Sequence, residues 1–550
     1  MAATVSITPR RLEPREITAV AADLGLGRDD FELYGKHKAK LGLDLLGSLA
    51  GRPDGKLVAV TAMTPTKSGE GKTTTAVALS DGLARIGERP LACLREPSVG
   101  PVLGAKGGGT GGGRAQVVPM EDINLHFTGD LHAIAAANNL LASAVDAHLV
   151  HGNELRIDPA TITWRRCLDI EDRLLRRISI GVGEGQPFPR ETGFDITAAS
   201  EVMALLASAR DLHDLRRRLG AITVAETVGG EPVTAEQLEV AGTMAVLLRD
   251  AAKPNLVQTL EGNPAIVHCG PFANIAHGNN SLAADLLGLK LADFVVTEAG
   301  FGSDLGFEKL MHIVCRAGGI FPAAVVLVAT TKAMKRAGGD EGGGLQALER
   351  GAANLAAHLE IVEAFGLKAV VAVNRFPRDT AAELHAINTF ALEHGAFAAE
   401  LCDGFARGGE GAIELAEVVA NAARRDTAPK FMYDLDAPVE EKIATVARRV
   451  YGAAGINMSP LAAAQLSKLS AEVRRLPVCM AKTHLSLSHD PEQAGVPRGF
   501  VLPVRELRPY TGAGWIVAVC AETQTMPGLP AHSAAERIDL ASDGQIIGLS

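Results

Sequence analysis

The sequence predicts an α/β protein built on a doubly wound, mostly parallel sheet. Short runs of Val, Ala and Leu recur along the chain, and each ends at a polar or glycine-rich turn that precedes helix-like periodicity. Continuous apolar runs of this kind are typical of strands that are buried on both faces of a parallel sheet. A glycine–lysine turn after one of these runs predicts a phosphate-binding loop (P-loop) in the same sheet.

Five of these runs are predicted strands. They are Lys56–Met63, Pro90–Leu94, Ala292–Val296, Ala323–Ala329 and Leu367–Val373. In an open α/β sheet, ligands bind beyond the carboxyl ends of the strands. The polar residues that follow these runs are therefore the first candidates for a site.

The chain is long enough for several domains. Its 550 residues, of which 47% are hydrophobic, can fill more than one core. We expect a P-loop and catalytic domain over residues 1–355, followed by two smaller C-terminal α/β domains. These should cover residues 356–455, which we expect to contribute to the ligand cleft, and residues 456–550.

Composition argues against several functional classes. A net charge of −10 disfavours a surface built mainly to hold nucleic acid. The seven cysteines lie far apart without a CxxC pair, which indicates reduced thiols in a cytoplasmic protein and no zinc knuckle. Because the sequence has no apolar signal region and no run of about 18 apolar residues, we expect no membrane partner.

The stretch TPTKSGEGKTTT (residues 64–75) carries the strongest chemical pattern. It follows a predicted strand and opens a predicted helix, Ala76–Ile86. Glycines let backbone N–H groups approach phosphate oxygens, and the helix N-terminus adds partial positive charge there. Lys72 is predicted to reach the β- and γ-phosphates of ATP, and the Thr73 hydroxyl to bind Mg²⁺. The predicted nucleotide-binding residues are Thr64, Pro65, Thr66, Lys67, Ser68, Gly69, Glu70, Gly71, Lys72 and Thr73.

Arg95, Glu96 and Asp130 are further charged candidates. Arg95 and Glu96 end the strand after the P-loop helix, so they should lie beside the phosphates. A guanidinium there can bind a carboxylate or an acyl phosphate through two parallel hydrogen bonds. Simpler interpretations stay open here: Arg95 and Glu96 can form a structural ion pair, and Asp130 can cap a helix beginning at Leu131.

At these residues the chain resembles the formate–tetrahydrofolate ligase family, and the resemblance runs the length of the sequence. The matching motifs are YGKHKAK (34–40), TPTKSGEGKTTT (64–75), LREPSVGPVLGAKGG (94–108), PMEDINLHFTGDLHAI (119–134), GFDITAASEVMA (193–204), GPFANIAHG (270–278), TEAGFGSDLGFEK (297–309), VNRFPRDT (373–380), FARGGEG (405–411), LPVCMAKT (476–483) and TMPGLP (525–530). The chain departs from the family's usual pattern at Lys67-Ser68, Thr110, Arg114 and Phe405.

The resemblance implies a two-step reaction. ATP, with Mg²⁺, phosphorylates formate to formyl phosphate, and the N10 amine of tetrahydrofolate then attacks the formyl carbon. In this family the residues matching Arg95 are associated with formyl phosphate. Those matching Glu96 and Asp130 are associated with a monovalent cation such as K⁺ or NH₄⁺. The implied catalytic residues are therefore Lys72, Arg95, Glu96 and Asp130, in a homo-oligomer that we expect to be a tetramer.

Folate needs a flat apolar slot, and aromatic residues make up only 4% of this chain. Phe376 and Phe405 match positions that resemble the family's aromatic walls, and stacked rings contribute about 0.5–1.5 kcal/mol beyond their burial. Asn374 and Asp379 also resemble a base-recognition loop of P-loop nucleotidases. The segment can therefore serve folate or adenine, and the sequence does not separate the two ligands.

Two rival functions remain at this stage. The KSGEGKT pattern resembles the signature-lysine P-loops of ATPases that switch protein partners instead of making a metabolite. The motifs beyond residue 370 count against that function. A non-catalytic relative that keeps only the fold is the second rival, and the intact Lys72, Thr73, Arg95, Glu96 and Asp130 argue against it.

Overall fold

The computed structural model describes residues 13–66, 69–105, 107–184 and 188–549 of the chain. Lys67 and Ser68 of the predicted nucleotide-binding set lie outside these residues. The strands are β1 Phe31–Leu33, β2 Ala39–Leu41, β3 Lys56–Ala62, β4 Pro90–Leu94, β5 Gly111–Gly112, β6 Ala115–Val118, β7 Arg166–Leu168, β8 Ile178–Ile180, β9 Arg190–Thr192, β10 Phe194–Ile196, β11 Thr223–Glu226, β12 Pro232–Thr234, β13 Asn255–Thr259, β14 Pro264–Val267, β15 Phe294–Glu298, β16 Ala324–Ala329, β17 Ala369–Asn374, β18 Ala398–Cys402, β19 Gly455–Met458, β20 Val478–Ala481, β21 Val501–Val504, β22 Glu506–Tyr510, β23 Trp515–Val519, β24 Asp539–Leu540 and β25 Ile546–Ile547.

Helices connect most of these strands. The α-helices are α1 Ile17–Asp23, α2 Leu45–Ser48, α3 Lys72–Arg85, α4 Val99–Leu103, α5 Met120–Asn124, α6 Asp130–Val150, α7 Glu201–Ser208, α8 Leu212–Gly220, α9 Ala241–Leu248, α10 Leu282–Leu291, α11 Arg316–Gly318, α12 Thr331–Ala337, α13 Leu345–Ala364, α14 Ala381–Glu393, α15 Gly404–Arg407, α16 Ile413–Ala423, α17 Val439–Arg449, α18 Pro460–Lys468 and α19 Ala471–Arg474. Short 3₁₀ segments occur at Arg28–Asp30, Pro159–Thr161, Arg173–Arg176, Thr197–Ala199, Gly408–Ala412 and Ala534–Arg537. Two π-helical segments, Ser303–Phe307 and Leu310–Cys315, follow β15.

A large sheet of 12 strands organises the part of the chain that the structure describes, in the order β1-β2-β13-β14-β4-β15-β3-β16-β17-β18, with β5 and β6 attached to β13. From β14 to β18 all neighbouring strands run parallel. The β1, β2 and β13 end is antiparallel. The predicted α/β class with a mostly parallel sheet is therefore confirmed.

The strands of this sheet are buried on both faces. In β3, Leu57 and Ala59 join one core with α10 and α13, while Val58 and Val60 join a second core with α3 and α16. Helices thus cover both faces, as the unbroken apolar runs predicted. The parallel strands also bring the carboxyl ends of β4, β15, β3, β16 and β17 to one edge.

Among the element boundaries that differ from the prediction, two affect the site. The strand predicted to end at Val296 continues to Glu298, so Glu298 is the last residue of β15. The helix predicted to begin at Ala76 begins at Lys72 instead, which places Lys72 and Thr73 in its first turn.

The predicted domain division stays a prediction. The boundary at residue 355 falls inside α13, and β17 and β18 extend the large sheet. Further along, β20, β23 and β22 form a small sheet, and Met480 and Ile516 of that sheet pack into the same core as β3. The C-terminal segments are therefore packed closely against the main sheet.

Helix α6 is the one helix of the described residues with the length and mean hydropathy, 1.2 over 18 residues, that would also suit a membrane span. Its residues Ile134, Leu141 and Val145 are buried in a core shared with α7 and α9. Core helices of globular proteins pass the same test of length and composition, so α6 is weak evidence for a membrane span.

Candidate functional site at the carboxyl edge of the sheet

The turn between β3 and α3 has two positions that favour glycine. Gly69 and Gly71 have φ of +79° and +73°, in the left-handed region that favours glycine. A Cβ on Gly71 would also come within 2.5 Å of Asn374 Nδ2. The turn leads directly into α3, whose first residue is Lys72. The glycine turn therefore ends at the positive end of α3.

Glu70 holds the turn from inside. Its side chain is buried, and it accepts hydrogen bonds from the Thr66 N–H at 2.6 Å and from the Thr330 hydroxyl. Asn374 Nδ2 donates to the Glu70 carbonyl at 2.9 Å. The backbone of Thr66 is therefore held within the loop. Glu70 and Asn374 position the backbone here.

Side chains of α12 and α13 hold the start of the turn in place. Asn354 Nδ2 donates to Thr64 Oγ1 at 3.0 Å, and His358 Nε2 lies 2.9 Å from the same oxygen. Arg336 Nη1 donates to the Pro65 carbonyl at 2.9 Å. Burial lowers the pKa of His358 to about 4, so this imidazole is neutral near pH 7. Thr64 and Pro65 thus shape the loop through contacts with α12 and α13.

Glu298, which the sequence analysis missed, joins the glycine turn to Arg95. The Thr73 hydroxyl donates to Glu298 Oε2 at 2.8 Å, and Arg95 Nε donates to Glu298 Oε1 at 3.0 Å. The Glu298 side chain is 2% exposed, whereas that of Arg95 is 28% exposed. The ion pair of Arg95 is therefore with Glu298, and the alternative pairing with Glu96 is wrong. The available clue was the position of Glu298, directly after an apolar run.

The environment of Glu298 favours its charged form. Burial alone would raise the pKa of Glu298, but Arg95, the Thr73 hydroxyl and Lys72 together hold that pKa below its ordinary value. A buried carboxylate is thus surrounded by two cationic side chains and a hydroxyl. The local charge of Lys72, Arg95 and Glu298 is positive overall, as a phosphate site requires.

Asp130 lies in a second cluster with Lys40. The Lys40 ammonium donates to both oxygens of Asp130, at 2.8 and 3.0 Å, and Asn255 Nδ2 donates to Asp130 Oδ2 at 2.8 Å. The alternative in which Asp130 caps a helix beginning at Leu131 is wrong. Gly129, at φ +89°, holds the cap position, and α6 begins at Asp130 itself. Asp130 is consequently a buried charge with a buried partner, and the sequence analysis did not assign Lys40 to the site.

Glu96 lies beside this cluster, and only part of the hydrogen-bonding capacity of its carboxyl group is used. Burial raises the pKa of Glu96 well above its ordinary value, and the negative charge of Asp130 raises it further. Glu96 is 4% exposed, and among the described residues its Oε2 has no hydrogen-bond partner. Its N–H donates to the Cys269 carbonyl at 2.7 Å, which fixes the backbone. The cluster therefore contains one buried acceptor oxygen with spare capacity.

The loop after β17 presents an exposed ring. Phe376 is 40% exposed, and its N–H donates to Asp379 Oδ2 at 2.7 Å. The Thr331 hydroxyl donates to Asp379 Oδ1 at 2.5 Å. Asp379 thus closes the loop that displays Phe376, and its two carboxylate oxygens are engaged by the protein. Asn374, at the start of this loop, contacts the glycine turn.

Phe405 presents a second exposed ring, beside Gly112 and close to the first turn of α3. Its side chain is 55% exposed, and its carbonyl accepts from the Arg114 N–H at 2.9 Å. A Cβ added to Gly112 would lie 3.0 Å from the Phe405 ring and 3.6 Å from Thr74 Oγ1. Gly112, in β5, therefore lies between the Phe405 ring and α3.

No group of three or more His, Cys, Asp or Glu side chains with the geometry of a metal centre occurs in the described parts of the chain. A divalent cation at this edge would therefore need ligands from a substrate or from water. Thr73 Oγ1 and Glu298 are the protein oxygens at the first turn of α3. The seven cysteines are all free and buried.

The fold and these contacts are those of an α/β protein whose mostly parallel sheet brings a glycine turn and two cationic side chains to one carboxyl edge, which is the edge where ligands bind in folds of this class. Residues 4–550 match the family model described as formate–tetrahydrofolate ligase. A protein named formate–tetrahydrofolate ligase from Roseiflexus sp. is 52% identical over 551 residues, covering 98% of each chain. Proteins of the same name from Desulforamulus reducens and Symbiobacterium thermophilum are 50% and 52% identical, with 97% and 100% of each chain covered. The chain belongs to the formate–tetrahydrofolate ligase family.

Proposed function

We propose that this protein joins formate to tetrahydrofolate in an ATP-dependent reaction that passes through formyl phosphate. Family membership over nearly the whole chain supports the substrates. The observation that carries the mechanism is the meeting of Lys72, Thr73 and Arg95 around Glu298 at one edge of the sheet. The partners of the site are then small molecules: ATP, formate and tetrahydrofolate.

The first step activates the formate carbon. A formate oxygen attacks the γ-phosphorus of ATP, the bond from that phosphorus to the bridging oxygen of ADP breaks, and formyl phosphate forms. Charge moves onto the phosphate oxygens during this transfer, so positioned cations stabilise the transition state. Lys72, at the first position of α3, is our candidate for the β- and γ-phosphates. The backbone N–H group of Gly71 is a candidate for the same anions, whereas that of Gly69 donates to the Thr66 carbonyl at 3.2 Å.

The second step forms the carbon–nitrogen bond. The N10 amine attacks the formyl carbon, and the carbon–oxygen bond to phosphate breaks, which releases inorganic phosphate and a proton. Arg95 Nε is engaged by Glu298, so the Nη1 and Nη2 groups remain as the outer edge of the guanidinium. A Cβ on residue 300 would lie 3.0 Å from Arg95 Nη1 and 2.8 Å from the Cβ of Ala273, so glycine at that position lets the guanidinium pack closely while its side chain stays 28% exposed. We assign formyl phosphate to Arg95 on this basis.

Phe376 and Phe405 are candidates for ring binding. Both rings are substantially exposed, although exposure of large aromatic side chains is unfavourable without a ligand. Phe405 packs beside Gly112 at the first turn of α3, while Phe376 projects from the loop next to Asn374. The carboxylate of Asp379 is taken by Phe376 N–H and Thr331, and Asn374 Nδ2 is bonded to Glu70. These engaged groups favour the pteridine of folate over adenine at this loop.

Magnesium fits the first turn of α3 as a substrate-borne ion. Mg²⁺ prefers oxygen ligands and usually keeps several waters while it binds phosphates. Thr73 Oγ1 would supply one protein ligand, and the neighbouring Glu298 would accept hydrogen bonds from the hydroxyl or from a metal-bound water. When bound, Mg²⁺ neutralises charge on the β- and γ-phosphates.

A monovalent cation fits the cluster of Glu96 and Asp130, but the two carboxylates would not contribute equally. Lys40 already balances Asp130, so Glu96 would supply the main carboxylate ligand. Its partnerless, buried Oε2 is the oxygen that such an ion would take. A cation there would also favour the ionised form of Glu96, which burial opposes.

We expect K⁺ or NH₄⁺ to raise both activity and the melting temperature more than Na⁺ does, at matched ionic strength. The stabilisation by K⁺ should grow as pH rises through the pKa of Glu96, because only the ionised carboxylate binds the cation. Glu96→Gln should abolish the difference between salts. Thermal unfolding measured in the three chloride salts checks this prediction. The protein is also proposed to be a homotetramer, which sedimentation of the folded protein in the same salts should find.

Glu201→Gln is the matched control for this prediction. Glu201 is a buried carboxyl whose pKa burial raises to about 8, and it accepts from the N–H groups of Gly512 and Ala513. Its variant should keep the full salt preference. Equal behaviour of the unsubstituted protein in K⁺, NH₄⁺ and Na⁺ would remove the cation from the proposal.

We also propose a cytoplasmic location, which the free, buried cysteines support. Cell fractionation checks the location.

The proposed reaction itself is tested by incubating the protein with ATP, formate and tetrahydrofolate, and with each substrate omitted in turn. We expect 10-formyltetrahydrofolate only in the complete mixture. ATP hydrolysis that is unaffected by formate and tetrahydrofolate would instead support a signature-lysine ATPase.

A further inference from the structure

A contribution to the stability of the protein does not by itself explain why Glu298 is buried at this edge of the sheet. It is 2% exposed, and burial of a carboxylate carries a desolvation cost that an ion pair rarely repays fully. Its partner Arg95 is 28% exposed and could be solvated without it. A buried acid that neutralises part of a phosphate site also weakens the attraction of that site for anions. The carboxylate is therefore expected to have a function in the site.

We propose that Glu298 is a positioning residue that couples the metal-binding hydroxyl of Thr73 to the anion-binding edge of Arg95, and that it gives the site its preference for magnesium-bound nucleotide. The proposal rests on the proposed function, since it takes Mg²⁺–ATP as a substrate. The carboxylate of Glu298, at the end of β15, holds together a residue of α3 and the residue that follows β4.

The first half of the coupling concerns the Thr73 hydroxyl. A hydroxyl has one proton and two lone pairs. Because Thr73 donates its proton to Glu298 Oε2 at 2.8 Å, its lone pairs point away from Glu298. They are then free to bind a cation at the first turn of α3. Outer groups that orient a metal ligand in this way also increase the basicity of its oxygen.

The second half concerns the guanidinium of Arg95. Glu298 Oε1 accepts from Arg95 Nε at 3.0 Å and lies 3.4 Å from the Arg95 backbone N. The planar group is thereby fixed in orientation, with its Nη1 side against Gly300. The main chain of Glu298 is itself held, since Asn279 Nδ2 donates to its carbonyl at 3.3 Å. A shift of the carboxylate would therefore move both the hydroxyl and the guanidinium.

The charge of Glu298 predicts a specific selectivity. Lys72 and Arg95 attract the phosphates, whereas Glu298 repels them and attracts a cation. Free nucleotide carries more negative charge than its magnesium complex, so Glu298 should disfavour the free form more strongly. Removing the charge should then favour the free form more than the magnesium complex, which loss of structure alone would not do.

Calorimetric titration of ADP, with and without Mg²⁺, tests this on the whole protein. In Glu298→Gln we expect Mg²⁺ to increase ADP affinity about 10- to 100-fold less than in the unsubstituted protein, as is typical when a group supporting a metal ligand is lost. Affinity for ADP without Mg²⁺ should be unchanged or higher. Thr73→Ala should reduce the magnesium effect similarly, and the double variant should lose little more, because both act through one contact.

Asp285→Asn is the matched control. Asp285 is a buried carboxyl bonded to Asn280, and burial raises its pKa to about 7. This variant should keep the magnesium effect of the unsubstituted protein. If Glu298→Gln does not fold, Glu298→Asp serves instead, since its shorter side chain keeps the charge but cannot hold Thr73 and Arg95 together. We expect it to lose at least about tenfold of the magnesium effect.

If Mg²⁺ increased the ADP affinity of folded Glu298→Gln or Glu298→Asp as much as that of the unsubstituted protein, the proposal would be overturned. An equal loss of affinity for ADP with and without Mg²⁺, which would indicate a purely structural ion pair, would also overturn it. The synthesis assay on the unsubstituted protein separates this result from the proposed function. Product formation together with an unaltered magnesium effect in Glu298→Gln would reject the role of Glu298 alone.

Discussion

Lys72→Ala should reduce turnover about 100- to 1000-fold while the protein stays folded. Lys72 begins α3 directly after the glycine turn, where its charge adds to the N-terminal dipole of the helix. Loss of one oriented group that stabilises developing charge typically costs about 2.7–4 kcal/mol in the transition state. Steady-state kinetics of synthesis, with circular dichroism to follow folding, measure both quantities.

Lys56→Ala is the control for this experiment. Lys56 is an exposed lysine at the amino end of the same strand, β3, at the edge opposite the site. Its removal changes the net charge equally and should leave turnover unchanged. Near-normal synthesis by a folded Lys72→Ala protein would reject the assignment of this turn as the phosphate-binding loop.

Arg95→Lys should bind ATP almost normally but lose about 100-fold in synthesis. Lysine keeps the charge, but it cannot donate to Glu298 and hold an acyl phosphate through two parallel hydrogen bonds at once. The reverse reaction, in which ADP and carbamoyl phosphate as a mimic of formyl phosphate give ATP, should fall in parallel. Measuring both directions on one preparation locates the loss at the acyl phosphate.

A structural role for Arg95 predicts a different result. The pair with Glu298 would then contribute mainly to stability, so Arg95→Lys would lower the melting temperature and leave turnover of the folded protein unchanged. Arg218→Lys provides the comparison, because Arg218 pairs with Asp214 on α8 at 2.9 Å and is 15% exposed. It should show a stability change without any change in synthesis.

The sequence predicted the frame of the site because that frame depends on local patterns. Apolar runs marked the strands, and the glycine turn marked the start of α3. The parallel sheet then brought Arg95 and Glu96 to the same edge as Lys72. These inferences needed only strand order and the rule that ligands bind at carboxyl ends.

The contacts that complete the site depend on residues far apart in the chain. Lys40 and Asp130 are separated by 90 residues, and no local pattern reveals that one buried charge balances the other. A cap was one interpretation of Asp130 because its residue type suits that position, but Gly129 takes the position instead. Glu298 was missed because an apolar run was expected to end before polar residues. Here the strand continues, since Thr73 and Arg95 satisfy the buried carboxylate.

Transfer of oxygen from formate to phosphate tests the central claim most directly. Synthesis is run with ¹⁸O-labelled formate and unlabelled ATP, and the released inorganic phosphate is analysed by mass spectrometry. If formate is phosphorylated before N10 attacks its carbon, the carbon–oxygen bond breaks in the second step, and each phosphate carries one ¹⁸O atom. Phosphate without label, released at the same rate as product, would contradict the proposed formyl phosphate route.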